Sequence, residues 1–433
     1  MSADKLSLKV NARDGTAEIT VYDGSFKQVG RGVGSLDVLL RKGIYEVRAR
    51  VGGAVETQLV SVPATKPVEF VEMAFATPLP DADDIQPDVD QTSPESLAMP
   101  PPGGLGSLRI GIRERSEEAP GPDFVDLALI WPDGHSDDLV GTASGHSRGR
   151  TAIAFISIPP GNYRLALRRG DDVRLRGLVV RPGWITECFM VRRRQGEMRL
   201  PDIARASVAL RRSGQEFVAS EAVRRASELG IEALTNNRKV ADAVLDTLTR
   251  QKFQNPMLGL VAAHLLLRDK PSSKMLGEVT RNLVTLLGED NPDVQAISLA
   301  VKGDGAPLRD MPMLRASWDI FVNASLRKPD LVPPDSLPAN LAPYVLPAWP
   351  WLIWEAPEAG GQRRLNAKLL ALRGYLEGGD RSRAVEPEAV DFAVPRQAAA
   401  RGASLDAEEQ AELAQALGVP RNVLDRLISD AGY

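Results

Sequence analysis

Few residues of this chain are of a type and spacing that could do chemistry. Three histidines, His135, His146 and His264, and one cysteine, Cys188, are all that a base, a thiol nucleophile or a soft-metal site could draw on. His146 stands beside Ser147, but adjacency does not make a nucleophile–base pair, and no G-x-S-x-G elbow or third partner accompanies it. Zinc would need paired Cys and His ligands that the chain lacks. Cys188 falls in the alternating stretch WITECFMV, which predicts a buried thiol, and His264 falls in MLGLVAAHLLL, which predicts a core histidine. No G-x-x-x-x-G-K-[ST] occurs, and Gly30, Gly32 and Gly34 have neither the spacing nor the following helix of a dinucleotide site. No catalytic, cofactor or metal residue is assigned, and the expectation is a protein that is not an enzyme.

Recognition chemistry is better represented. From Arg148 onward a basic series, including Arg164, Arg168, Arg169, Arg174, Arg176, Arg181, Arg192, Arg193, Arg194 and Arg199, meets few acids. Guanidinium forks on strands form either a solvated outer face or a receptor for an anionic partner. A Pro-rich strap over 330–360 holds Tyr344, Trp349, Trp351 and Trp354, three of the six tryptophans. Such a strap either packs on helices or presents aromatic anchors to a partner. Tyr344, Trp349, Trp351, Trp354, Arg164, Arg168, Arg169 and Arg192, Arg193, Arg194 are the candidate partner-binding residues.

The elements that must position them include a duplication. Leu36 to Arg50 (LDVLLRKGIYEVRAR) and Ile153 to Arg169 (IAFISIPPGNYRLALRR) share an alternating strand, a Gly turn, a Tyr and a second alternating strand. Gly43 falls on Gly161, Tyr45 on Tyr163 and Val47 on Leu165. Alternation predicts half-buried strands, and the glycine a hairpin-like reversal. The expected fold is thus two small antiparallel β-sandwich domains, 1–75 and 106–200, followed by an all-α helical-hairpin region, 201–433. Between the sandwiches, 76–105 reads as an acidic Pro-rich linker, either a spacer or a docking or protease-accessible segment, and its charge also suits the basic face.

From about residue 213 the apolar period lengthens to about 3.6 residues. Ser213 to Glu216 looks like a capping box, Gly230 a helix stop, and Asn255-Pro256 and Asn291-Pro292 cap-and-start pairs. At the end, 404–430 reads as a helical pair: Ser404 caps DAEEQAELAQAL, Gly418 stops it and Pro420 starts RNVLDRLI. That pair looks like a repressor helix-turn-helix, with Arg421, Asn422 and Arg426 toward the groove, although its acidic residues oppose phosphate.

Composition sets the outer bounds. In 433 residues, 43% are hydrophobic and 25% charged, with a net charge of −4, so no global charge marks a nucleic-acid or membrane-surface protein. The start MSADKLSLKV lacks the pattern of a signal peptide, and no apolar run approaches the roughly 18 to 20 residues of a membrane span. The expectation is a cytoplasmic protein without membrane insertion.

The repeated turn, Lys42-Gly43-Ile44-Tyr45-Glu46-Val47 and Pro160-Gly161-Asn162-Tyr163-Arg164-Leu165, resembles the P-G-x-Y-x-[LV] turn of PEGA and carboxypeptidase-regulatory-like domains, which have a transthyretin-like fold. The resemblance covers 5–75 and 106–190 and implies non-catalytic scaffolding or binding modules. Asn255 to Ala300 is similar to segments of bacterial proteins that accompany caspase-like peptidases, which implies a protease partner. The leading expectation is a protein–protein interaction, scaffold or adaptor protein, accessory to or substrate of such a protease. The alternatives are an enzyme with a site near the Trp-rich strap and a nucleic-acid binder using 148–199 or the C-terminal pair.

Overall fold

The computed structural model describes residues 6–12, 17–51, 54–70, 104–114, 123–142, 144–148, 151–170, 172–195, 198–213, 221–269, 274–346, 350–376 and 405–432. Two compact units divide the chain, Met1–Thr77 and Pro78–Tyr433. A β-rich N-terminal part is followed by a helical region, in the order that the change of period predicts. The linker segment 76–103 lies outside the described residues.

The first unit contains β1 (Leu6–Ala12), β2 (Glu18–Tyr22), β3 (Gln28–Val33), β4 (Ser35–Leu40), β5 (Gly43–Val51), β6 (Ala54–Val62) and β7 (Val68–Phe70). They hydrogen-bond in the order β6-β5-β2-β3-β4-β1-β7. The sheet folds over where β3 and β4 share one pair, Val33 with Ser35. Gly34 makes that corner at a φ of 72°, where a side chain would be strained. Leu8 and Val10 of β1 thereby meet Ile19, Val21, Val47 and Ala49 of β2 and β5 in one core.

The second unit opens with β8 (Gly106–Arg113), β9 (Leu127–Ile130), β10 (Ser136–Asp138), β11 (Ser144–Arg148), β12 (Thr151–Ile158), β13 (Gly161–Arg169), β14 (Asp172–Val180), β15 (Trp184–Gln195), β16 (Met198–Pro201) and β17 (Ser207–Arg212). One sheet runs β10-β9-β13-β14 and gains β18 (Ile353–Glu355) at its edge. The other runs β11-β12-β8-β15-β16, with β17 also on β15. Leu165, Leu167 and Leu178 of the first meet Ile110, Ile112, Cys188 and Met190 of the second. The boundary read at residue 200 is therefore passed twice: β17 lies beyond it, and β18 returns from the strap.

The duplication holds position by position. Gly43 opposes Val62 as Gly161 opposes Val180, Tyr45 opposes Val60 as Tyr163 opposes Leu178, and Val47 opposes Gln58 as Leu165 opposes Arg176. The glycine turn, however, is not a hairpin. β4 lies between β3 and β1, whereas β5 lies between β6 and β2; β12 and β13 are on different sheets. The turn carries the chain from one layer to the other, and the hairpin is the next pair, β5–β6 or β13–β14. In both copies the Tyr hydroxyl donates to the carbonyl four residues upstream, Tyr45 to Arg41 at 2.9 Å and Tyr163 to Pro159 at 2.7 Å. That bond fixes the bend as a tyrosine corner does. Alternation reveals which face a strand buries, not which neighbour it pairs with.

The α-helices after β17 are α1 (Glu221–Thr235), α2 (Asp242–Gln251), α3 (Pro256–Asp269), α4 (Lys274–Leu287), α5 (Pro292–Lys302), α6 (Arg315–Ser325), α7 (Leu337–Leu341), α8 (Ala359–Leu376), α9 (Ala407–Leu417) and α10 (Arg421–Asp430). α3 is buried from Pro256 to Leu266, the central position its composition requires. Asn255 Oδ1 accepts from the Met257 and Leu210 amides, at 3.2 and 3.0 Å, so one cap also ties α3 to β17. Asn291 caps α5 through the Asp293 and Val294 amides. Gly230 does not stop α1. It lies inside the helix because a side chain there would press on Leu248 and Val261, at 2.8 and 3.0 Å. Asp406, not Ser404, caps α9 with Glu409 in a capping box, and Gly418 ends it at a φ of 64°. Residues 214–220, and with them most of the expected capping box at Ser213, lie outside the described residues.

The face of β9, β13 and β14 that turns away from the sandwich core is not solvated. Ala128, Ala166 and Leu175 pack against Leu299, Trp318, Phe321 and Trp354, so helices cover the middle of that sheet. Charge persists chiefly at the tip of the β13–β14 hairpin. Tyr163→Phe should cost about 0.5–1.5 kcal/mol, the net worth of one hydrogen bond. In urea the midpoint should fall with the m-value unchanged.

Candidate anion-binding groove

At one end of the second sandwich the β13–β14 tip meets the far end of the β15–β16 hairpin. Arg168, Arg169 and Gly170 come from the first, Arg192, Met198, Arg199 and Leu200 from the second, and Asp126 from the approach to β9. Together they line an open cavity of about 300 Å³. The turn is possible because Gly170 takes a φ of 56°. Arg192 and Arg199 lie on the paired strands of the β15–β16 ladder, and Arg199 Nη2 donates to the Arg192 carbonyl at 3.4 Å.

These guanidiniums are not equivalent. Arg199 holds the buried carboxylate of Glu114 in a two-point grip, with Nε at 2.9 Å from Oε2. Arg168 pairs with Asp138 and donates to Ser136 Oγ at 3.3 Å. Arg169 and Arg192 form no ion pair among the described residues. Arg192 Nε is buried and has no acceptor. A buried donor left unpaired costs about 1–3 kcal/mol, and an anionic oxygen is the group that would relieve it. Asp126 sets one negative wall, and Met198, exposed, with buried Leu200, an apolar one.

The remaining candidates go elsewhere. Arg164 is half-buried and donates to the Trp131 carbonyl at 3.3 Å, its pKa lowered by burial. Arg193 and Arg194 pair with Leu200 and Arg199 in the ladder, and their side chains are not described. Trp349 lies outside the described residues. Tyr344 packs against the helical core, and Trp351 and Trp354 are fully buried. Trp351 lies under the Arg176 guanidinium, 4.6 Å from its carbon. Arg176, itself buried, donates to the Ile203 carbonyl at 3.2 Å, while its Nε and Nη2 have no acceptor. The strap therefore joins sheet to helices.

The remaining chemistry-bearing side chains, one buried polar cluster and Cys188, are structural in their contacts. His264 Nε2 lies 2.8 Å from Ser317 Oγ, which also bonds the carboxylate of Asp293. Serine, not histidine, is in the middle, so the histidine cannot relay a proton from the hydroxyl to the acid. The hydroxyl has one proton; given to Asp293, it leaves His264 Nε2–H as donor. Burial pushes the His264 imidazole down to about 4, so the ring is neutral. Asp293 also accepts from the Met313 and Leu314 amides, both at 3.0 Å, and pins the loop before α6. Cys188 is buried, and burial pushes its thiol up. Among the described residues, no group of three or more His, Cys, Asp or Glu could hold a metal ion.

The C-terminal pair bonds inward. Asn422 donates to the Val332 carbonyl at 2.7 Å, Arg426 to the Ala339 carbonyl at 3.2 Å and Arg421 to Gln410 of α9, while Arg421 also pairs with exposed Asp425 along its own helix. Trp318 Nε1 donates to Gly418 and Lys368 Nζ to Leu417, both at 2.9 Å, which fastens the turn between α9 and α10. Among the described residues, no helix is long and apolar enough to cross a membrane.

No family model matches the chain, and no curated protein does. Among solved structures, the Bacillus anthracis TIE protein is similar over 41% of this chain and 32% of its own length, at 14% identity and a TM-score of 0.15. A candidate cell adhesion protein from Bacteroides fragilis is similar over 48% of this chain and 86% of its own, at 8% identity and a TM-score of 0.17. At such scores neither likeness carries fold or function across.

Burial, then the nearby charges of Arg364 and Arg315, pushes the Lys368 ammonium from 10.5 down to about 7. Above pH 7 the unfolded chain binds a proton there that the folded chain has released, so stability should rise with pH until about 10.5. Urea titrations across that range should show the rise in the native chain and its loss in Lys368→Met.

Proposed function

We propose that this chain is a non-enzymatic interaction protein that holds an acidic segment of a partner protein in the groove between the β13–β14 tip and the β15–β16 hairpin. One observation carries the reading: among the described residues Arg169 and Arg192 form no ion pair at the open cavity they line with Asp126, while their neighbours Arg168 and Arg199 have carboxylate partners. Carboxylates suit the guanidinium forks, and Met198 and Leu200 suit an apolar side chain between them. The Asp126 wall disfavours a continuous polyphosphate track, and a cavity of about 300 Å³ suits a few side chains.

The test uses the full chain with a fluorescein-labelled peptide that alternates glutamate and leucine, and a single-stranded oligonucleotide of equal charge. Anisotropy should show the peptide bound and the oligonucleotide bound more weakly. Arg169→Glu combined with Arg192→Glu should weaken the peptide by about tenfold to a hundredfold, the worth of a charge-assisted pair. Peptide binding that is absent at low salt, or indifferent to the double substitution, would overturn the reading, as would preference for the oligonucleotide.

A further inference from the structure

The same hairpin is built twice, and its outer edge has two different fates. In the second unit β14 is followed in the sheet by β18; in the first, the equivalent β6 ends the sheet. β18 pairs antiparallel, Glu355 with Arg174, Trp354 with Leu175 and Ile353 with Arg176. By the shared register those three positions of β14 correspond to Glu56, Thr57 and Gln58 of β6. Among the described residues no strand pairs with that side of β6.

We propose that β6 is an acceptor edge for an antiparallel strand supplied by a partner protein, with large apolar side chains of the kind β18 carries. This edge is independent of the arginine groove. Three further observations support it. β6 is nine residues long, AVETQLVSV, with Glu56 its one charge and no proline, lysine or arginine, and its ladder with β5 is unbroken. Open edges are ordinarily protected by such residues, by bulges or by brevity. Next, Leu59 is 77% exposed, Ile44 66% and Val55 58%. Their counterparts Gly177, Asn162 and Val173 lie on the face that the helical region covers in the second unit. Lastly, the backbone points the right way. The Val173 carbonyl accepts from the Ala356 amide at 2.8 Å, so alternate residues of β14 direct their backbone groups at β18. Val55, Thr57 and Leu59 therefore direct theirs outward from β6.

The occupant follows from the chain's own solution to the same edge. Trp354 and Leu352 are both fully buried where β18 docks, so a strand on β6 should bring comparable side chains over Val55 and Leu59. The experiment uses the full chain and a labelled peptide with the sequence of Pro350 to Pro357, PWLIWEAP, as the probe. Anisotropy should show saturable binding. Thr57→Pro removes one outward N–H and leaves the ladder to β5 intact, and should weaken binding by about tenfold or more. Leu59→Lys, a surface change that leaves the core untouched, should do the same. Absent binding, or equal binding by the native chain and both variants, would overturn the proposal. A homodimer that Leu59→Lys dissociates would also overturn it, by making a second copy the occupant.

Discussion

The second unit depends on one seam, the pairing of β18 with β14. Everything between α1 and α8 reaches the second sandwich partly through it. Arg176 is central to the seam: its guanidinium is buried over Trp351 and bonded to the Ile203 carbonyl. Burying a cation is costly unless its charge is met, and a desolvated cation–π contact is worth about 2 kcal/mol. That contact exists only while the strap is docked. Arg364 with Glu355, at 3.0 Å, and Arg363 with Asp172 then hold α8 against the same strands. Sheet, strap and helix are thus mutually dependent, which favours cooperative unfolding of this unit.

A duplicated module whose copies differ at one edge shows what each copy can still do. The two hairpins share their register and the Tyr bond at the turn. They part in the side chains beyond the core. Leu175 and Gly177 in β14 let helices and β18 come close, whereas Thr57 and Leu59 stand at the corresponding places in β6. One copy has become a foundation for the helical region, and the start of α8 packs on Asp172 beside the tip that lines the basic groove. The other keeps an apolar edge exposed, a feature that proteins retain at interaction sites.

Much of this was legible in the sequence because it is local. Alternation marked the strands, Tyr45 and Tyr163 marked the repeat, and Asn255, Asn291 and Gly418 marked helix ends through their own backbone chemistry. What was not legible is long-range. Three residues in a Pro- and Trp-rich run gave no strand signal, yet β18 forms because β14 offers an edge. Trp351 and Trp354 read more readily as packed on the helices than as anchors, but composition alone does not report burial. The arginine series looked like one charged face. Its members separate only when Glu114, Asp138 and Asp290, distant in sequence, arrive to pair Arg199, Arg168 and Arg181. Asp126 and Met198 had no signal at all, because a groove between two hairpins has no sequence period.

The central claim is that equivalent edges of the two sandwiches differ: β18 closes β14, while among the described residues no strand closes β6. Site-resolved hydrogen exchange on the full chain measures this directly, through the amides that face outward. Leu175, bonded toward Trp354, should exchange only with unfolding of its unit, while Thr57 and Leu59 should exchange far faster than the β5–β6 ladder amides beside them. Slow exchange at Thr57 and Leu59, matching that of Leu175, would show the β6 edge already covered and contradict the account.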